Sequence, residues 1–203
     1  MNQRVVRWSR NSGTTEGQIL IDNILCWGLA MDDQRYLYIS DQKKHEVKRY
    51  PIGDKNGTVV AGGYGKGAGI NQLNIPTYLF VDRQQTVYVS DSLNHRVMKW
   101  NKDAQEGIAV AGAQDKENGL TQLSYPHGLF VDMLGTLFVA DSLNHRVMCW
   151  LQEATEGIVI VGGNSFGEAA NQFNGLEGLS FDRYGNLYVV DWGNNRVQRF
   201  SIE

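Results

Sequence analysis

Residues of the kinds that do chemistry recur in this chain at intervals of fifty. Trp27, Thr77, His127 and Glu177 hold equivalent positions in four copies of a repeated unit. Histidine and glutamate both bind zinc, but a catalytic zinc needs about three protein ligands and a water molecule. His127 and Glu177 are the two candidate ligands, which is too few. We therefore predict no metal site, no catalytic residue and no cofactor.

The repeated unit is clearest in two copies of one decapeptide. DSLNHRVMKW covers residues 91–100, and DSLNHRVMCW covers residues 141–150. YISDQKKHEVKRY and YVVDWGNNRVQRF continue the series on either side. Self-similarity at such a period is typical of proteins whose units pack on their neighbours. We predict structural roles for the polar residues of this motif: Asp41, Asp91, Asn94, His95, Arg96, Asp141, Asn144, His145, Arg146, Asp191, Asn194 and Arg196.

Histidine also recurs at the motif positions His45, His95 and His145, which suggests a metal site at first sight. Equivalent loops of different units point from different directions, so they cannot all reach one ion at about 2 Å. The fourth unit has Asn195 at this position. We predict that these histidines form hydrogen bonds within or between units.

Each unit contains four short apolar runs separated by turn residues. In the third unit they are residues 128–131, 137–140, 146–150 and 158–161. Short runs rich in Val, Ile and aromatic residues predict strands. In a sheet with one solvent-exposed face, apolar and polar residues alternate along each strand. The run LYVV at 187–190 is apolar on both faces. Each sheet must therefore be covered on both sides, and neighbouring sheets can do this in a β-propeller.

We predict one propeller domain at residues 1–203, with about four four-stranded antiparallel blades. Residues 1–22 would supply the outer strands of a preceding blade, and the repeats would cover about 23–63, 73–113, 123–163 and 173–203. The preferred arrangement is an incomplete arc, which would expose two apolar blade faces. The alternative is a closed four-bladed ring, in which residues 17–21 would complete the last blade.

The segments LFVDMLGTLFVADSLNHRV and LSFDRYGNLYVVDWGNNRV resemble NHL repeats, a β-propeller family named for its Asn-His-Leu signature. The resemblance covers essentially the whole chain, but the first connection, GQILIDNILCWGLAMD, lacks the loop of the others. It implies a six-bladed ring, of which this chain would be an arc. Some NHL-like propellers are peptide-amidating lyases with a zinc held by channel histidines. Of the corresponding positions, only His127 is a histidine here.

The resemblance and the rim positions together predict a non-catalytic scaffold that binds a protein or peptide partner. The expected contact residues are Trp27, Tyr64, Thr77, His127, Phe166 and Glu177. We predict that the chain is not an enzyme, and a zinc-dependent lyase is the less favoured alternative. By resemblance to tripartite-motif proteins, a fragment could be the substrate-recruiting part of an E3 ubiquitin ligase. RING or B-box cysteines are absent from the sequence.

RNA binding is the other alternative that the resemblance implies. KKHEVKR at 43–49 is a basic cluster, but the rim loops also carry Asp115, Glu117 and Glu168. Phosphate recognition needs several clustered basic residues. A net charge of −3 predicts no general attraction to nucleic acid.

Composition places further bounds on the chain. Cys26 and Cys149 are too few for a disulfide framework, and we expect two unrelated free thiols. No apolar run approaches the roughly 20 residues of a membrane span, so we predict no membrane insertion. The first residues lack the apolar core of a signal peptide, which favours the cytoplasm.

Overall fold

The structure is a computed structural model that describes residues 2–10, 13, 15–112 and 119–202. In these ranges the chain forms five antiparallel sheets. The first sheet has two strands, β1 (Arg4–Arg7) and β2 (Gln18–Asp22). No helix in the described ranges is long and apolar enough to cross a membrane.

The four remaining sheets are the blades, and each runs in simple chain order. Blade 1 contains β3 (Cys26–Met31), β4 (Tyr36–Asp41), β5 (Glu46–Pro51) and β6 (Thr58–Gly62). Blade 2 contains β7 (Pro76–Val81), β8 (Val87–Asp91), β9 (Arg96–Trp100) and β10 (Ile108–Gly112). Blade 3 contains β11 (Pro126–Val131), β12 (Leu137–Asp141), β13 (Arg146–Trp150) and β14 (Ile158–Gly162). Blade 4 contains β15 (Leu176–Phe181), β16 (Asn186–Asp191) and β17 (Arg196–Ser201).

This architecture confirms the predicted all-β fold of four antiparallel blades. The predicted covering of both sheet faces is seen at Val147, which is fully buried, and at Trp150, which is 3% exposed. The two side chains lie three positions apart in β13 and so point to opposite faces. Leu123 and Phe173, from the loops between blades, are fully buried in the same interfaces.

The tight turn after the second strand of blades 2 to 4 is a single 3-10 turn. These turns cover Ser92–Asn94, Ser142–Asn144 and Trp192–Asn194. The next residue is left-handed, with φ of 51° at His145 and at Asn195. Histidine and asparagine are enriched among the non-glycine residues that adopt this conformation. This left-handed residue directs the chain from the 3-10 turn into the third strand of the blade.

The strand pairing does not close the chain into a four-bladed ring. β2 pairs with β1, and in the described part of the chain β17 pairs only with β16. The alternative that places residues 17–21 beside the last strand is therefore wrong. The blades form an open arc.

The two ends of the arc differ in how their apolar residues are covered. The β1–β2 sheet packs Val5, Ile21 and Ile24 against blade 1. On the outer face of blade 4, Val197 is 62% exposed. Its equivalent in blade 3, Val147, is fully buried by blade 4. Of the two apolar blade faces that were predicted to be exposed, the face of blade 4 is exposed, whereas the β1–β2 sheet packs on blade 1.

The connection between the β1–β2 sheet and blade 1 is much shorter than the others. β2 ends at Asp22 and β3 begins at Cys26, whereas β6 ends at Gly62 and β7 begins at Pro76. The ten residues that are missing correspond to the loop that, in the other blades, crosses the next sheet.

Candidate functional site

The innermost strand of every blade begins with a β-bulge. In β11 the pairing moves from Pro126–Asp141 directly to Leu129–Val139, and the same irregularity occurs in β3, β7 and β15. A bulge leaves residues without ladder partners and redirects their side chains. Two adjacent residues in each blade, such as His127 and Gly128, are therefore free of the regular pleat.

Serine side chains from the neighbouring blade hold these bulges in place. Ser40 Oγ donates to the carbonyl oxygen of Thr77 at 2.7 Å. Ser90 Oγ donates to the carbonyl oxygen of His127 at 2.5 Å, and Ser92 Oγ to that of Pro126 at 2.6 Å. These buried hydrogen bonds fix the start of one innermost strand against the blade before it.

The His127 ring is surrounded by aromatic side chains from three blades. Its centroid lies 5.1 Å from that of Tyr125, 5.9 Å from Trp27 and 6.2 Å from Tyr78. Trp27 meets the imidazole in an edge arrangement and is 43% exposed, whereas His127 is 6% exposed. The indole thus forms an accessible wall over a buried imidazole.

Glu177 adds a carboxylate from the fourth blade. Its Oε2 lies 3.0 Å from His127 Nδ1, which is an ion-pair distance when the imidazole is protonated. The contact lacks hydrogen-bond alignment, and both ring nitrogens of His127 are buried without a hydrogen-bond partner among the described residues. Within those residues, no lysine or arginine lies within ion-pair distance of Glu177. We name Trp27, Tyr78, Tyr125, His127 and Glu177 the channel cluster.

The surroundings of Tyr78 in the channel cluster favour its protonated phenol. Burial raises the pKa of Tyr78 above its ordinary value, and the negative charge of Glu177 raises it further. A hydrogen bond with Trp27 acts in the opposite direction. The channel cluster therefore offers a phenol, an imidazole, a carboxylate and an exposed indole to one bound group.

The structure separates the residues predicted for a partner site. Trp27, His127 and Glu177 come together, but Thr77 is 2% exposed and its Oγ1 lies 2.6 Å from Ser92 Oγ. Tyr78, the next residue of the bulge, joins the channel cluster in its place. Sequence reasoning missed Tyr78 because it assigned one inward residue to each blade.

Tyr64 and Phe166 are exposed on the loops that follow outermost strands. The Tyr64 carbonyl accepts a hydrogen bond from Gln72 Nε2 at 3.0 Å, and the Phe166 ring packs against His145. Both lie on loops, whereas the channel cluster lies around the innermost strands. Asp115 and Glu117, predicted for the loop between them, lie outside the described residues.

The recurring histidines connect consecutive blades. Nδ1 of His45 accepts the backbone N–H of Ile75 at 3.1 Å. His95 and His145 do the same for Tyr125 and Gly175, at 3.1 and 3.3 Å. In the described part of the chain, no group of three or more His, Cys, Asp or Glu side chains could hold a metal ion.

The motif aspartates and arginines fix the loops to the blades. Asp141 Oδ1 accepts the Ser124 N–H at 2.6 Å, and its Oδ2 accepts bonds from Asn144 and Arg146 at 2.9 and 2.7 Å. Arg146 also donates to the carbonyl oxygen of Gln122. Equivalent bonds form around Asp91 and Asp191.

Comparison with known proteins assigns the repeat. Residues 173–200 match the NHL repeat. This segment contains the strands of blade 4, and the predicted resemblance to NHL-repeat propellers is confirmed. No curated protein sequence matches the chain.

Several solved structures share the propeller fold of this chain. A gluconolactonase from Xanthomonas campestris is 19% identical with a TM-score of 0.70, covering 98% of this chain and 68% of that chain. A chain of a nidogen/laminin complex is 17% identical with a TM-score of 0.67, covering 98% and 74%. An inactive virginiamycin B lyase from Staphylococcus aureus, solved with quinupristin, is 10% identical with a TM-score of 0.66, covering 98% and 60%. At these identities the likeness establishes the fold alone.

The chain spans about half the length of two other matched structures. It covers 57% of one protein from Bacteroides thetaiotaomicron and 48% of another.

The prediction that the chain is not an enzyme is corrected by these comparisons. Structures with the same fold include a gluconolactonase, a virginiamycin B lyase and a streptogramin B lyase. The prediction rested on the shortage of zinc ligands, and that shortage bears on zinc chemistry only. An NHL-repeat fold is thus compatible with enzymes as well as with binding proteins, and the site must decide between them.

Proposed function

We propose that this propeller recognises a protein or peptide partner at the channel cluster. The observation that carries the proposal is the meeting of side chains from four consecutive blades around His127. Residues that are far apart in sequence converge there because each bulge turns a side chain towards the channel.

The chemical character of the channel cluster supports binding. Trp and Tyr are the residues that contribute most often to binding energy at interfaces. Trp27 is partly exposed, and Tyr78 and Tyr125 are half-buried, so a ligand that covers the indole would remove apolar surface from water. Glu177, whose side chain is partly exposed, supplies a carboxylate that orients it.

The fold itself is compatible with partner binding. One structure with this fold is a nidogen/laminin complex, which shows that the fold occurs in protein assemblies.

The test begins with peptides selected from a displayed random library on the wild-type chain. Their affinities are then measured by calorimetry for the variants Trp27→Ala and Glu177→Gln. We expect each substitution to weaken binding roughly tenfold or more, because loss of an interface hot spot costs about 2 kcal/mol.

The matched control is Tyr184→Ala, which removes an exposed aromatic ring from a hairpin turn of blade 4. This variant should bind the peptides as the wild type does. Failure to select any peptide, or equal binding by all three variants, would overturn the proposal.

A further inference from the structure

In blades 2 and 3, the loop from the preceding blade crosses the third and fourth strands, and side-chain and backbone N–H donors bind its carbonyl oxygens. In blade 4 the equivalent loop is bound by donors at the start of the third strand. Asn94 Nδ2 donates to the carbonyl oxygen of Gly67 at 2.7 Å. Arg96 donates to carbonyl oxygens of the same loop, at Ala68, Gly69 and Gln72. The Gly107 N–H donates to the carbonyl oxygen of Ile70 at 2.8 Å, and Gly157 does the same in blade 3.

Blade 1 has a cleft where its sister blades have this loop. The cleft has a volume of about 300 Å³. Its lining includes Lys44, Tyr50 and Gly57. By the fifty-residue step, these are the equivalents of Asn94, Trp100 and Gly107. The cleft is therefore the loop position of blade 1, left open because the connection from β2 to β3 is ten residues shorter.

The apolar part of this position is already filled. In blade 2, Leu73 of the loop is fully buried between blades. In blade 1, Ile24 is 3% exposed and packs with Leu37 and Tyr50. A ligand of the cleft therefore needs no apolar side chain to fill the interior. It would contact the polar residues that the loop backbone covers in the other blades.

The rim of the cleft carries three lysines, although Glu46 replaces the arginine that binds the loop in blade 2, Arg96. Lys44 replaces Asn94, Lys48 replaces Met98, and Lys55 lies in the turn before β6. Lys48 Nζ lies 3.2 Å from Glu46, and Lys55 Nζ lies 3.8 Å from Asp22. The second pair is well exposed, and such pairs contribute only about 0.2–1 kcal/mol, so Lys55 can exchange Asp22 for another carboxylate.

Of the two aspartates that line the cleft, Asp22 forms only the exposed pair with Lys55, whereas Asp41 is engaged within the protein. Asp41 is 2% exposed, and its Oδ1 accepts the N–H groups of Lys43 and Lys44 at 2.9 and 3.1 Å. The lining also includes residues that carry hydrogen-bond donors, among them Lys44, Lys55 and Asn56. A ligand that presents carbonyl and carboxylate oxygens fits this set.

We propose that the blade 1 cleft binds an extended acidic peptide segment of a partner protein, which takes the position of the missing loop. Its backbone carbonyls replace those that Asn94 and Gly107 bind in blade 2, and its carboxylates pair with Lys44 and Lys55. This site uses none of the residues of the channel cluster.

The experiment measures the binding of a fluorescein-labelled peptide of alternating glycine and glutamate by fluorescence polarisation at low salt. The double variant Lys44→Glu/Lys55→Glu should lose roughly tenfold or more in affinity, since two surface pairs become repulsive. Lys102→Glu, in an exposed turn of blade 2, is the matched control and should bind like the wild type.

A second variant fills the cleft with a loop of the chain itself. A copy of residues 63–72, inserted between Asp22 and Asn23, gives blade 1 the loop that blade 2 has and should abolish peptide binding. Circular dichroism confirms the fold of each variant, and Trp27→Ala should leave this binding unchanged. The proposal is overturned if the wild type does not bind, if the charge reversal leaves affinity unchanged, or if an oligouridine RNA binds the same lysines more tightly.

Discussion

At the scale of single residues, histidine serves two purposes in this protein. His45, His95 and His145 each accept a backbone N–H from the next blade through Nδ1. His127 is more buried, yet neither of its nitrogens has a hydrogen-bond partner in the described part of the chain. The first role needs a neutral ring, whereas the His127 ring lies beneath the exposed indole of Trp27.

The interblade role predicts a pH dependence at His145. Burial lowers the pKa of His145, although the negative charges of Asp191 and Asp141 oppose this shift. As the pH falls, the unfolded chain takes up the proton first, so the contribution of His145 to stability is complete above about pH 6.5 and falls below it. Asparagine, which blade 4 has at the equivalent position 195, does not titrate.

The variant His145→Asn should therefore lose less stability than the wild type between pH 7.5 and 5.5. Urea unfolding at several pH values measures the difference between the two proteins. At neutral pH we expect the variant to be less stable by about 1 kcal/mol, because the bond to the Gly175 N–H is weakened. Parallel pH profiles for the two proteins would refute the assigned role.

At the scale of elements, the loops between blades are fixed by buried Asp–Arg pairs. Arg146 is 6% exposed and Arg196 is 30% exposed in the side chain, while their partners Asp141 and Asp191 are fully buried. The same Asp–Arg pair thus occurs in blade 3, inside the arc, and in blade 4 at the end of the arc, where its arginine is more exposed.

We expect Arg146→Ala to destabilise the fold by about 3–5 kcal/mol, since it leaves the Asp141 charge buried and unpaired. Arg196→Ala should cost on the order of 1–2 kcal/mol, because water can reach the vacated position. Urea denaturation of both variants gives the comparison. Equal losses would show that the position of the blade in the arc has no influence on the pair.

The elements themselves were predictable, because strands that are apolar on both faces require sheets on both sides. The register at the start of the innermost strands was not predictable. A fifty-residue repeat assigns Thr77 to the channel, but Thr77 is buried with its Oγ1 2.6 Å from Ser92 Oγ, and the next residue of the bulge, Tyr78, contacts His127 instead. A bulge depends on hydrogen bonds from the neighbouring blade, such as that of Ser40, which a single-sequence pattern does not contain.

At the scale of the whole molecule, the open arc leaves an apolar face on blade 4. Val190 and Val197 are 36% and 62% exposed, whereas Ala140 and Val147, their equivalents in blade 3, are fully buried. Exposed apolar faces favour association. The isolated chain should therefore self-associate through this face.

The double variant Val190→Lys/Val197→Lys should sediment as a monomer at concentrations where the wild type associates. Ile158→Lys, which changes an exposed apolar residue on β14 of blade 3, should behave as the wild type does. Analytical ultracentrifugation distinguishes the species. A wild-type chain that stays monomeric at all concentrations would contradict the expected role of the blade 4 face.

The most direct test of partner recognition at the channel cluster is histidine-ring NMR on the chain labelled with nitrogen-15 in its four histidines. A library-selected peptide is titrated into the protein. We predict that the ring signals of His127 shift in proportion to peptide binding, while those of His45 and His95 stay in place. Binding that leaves the His127 signals unchanged would contradict the account.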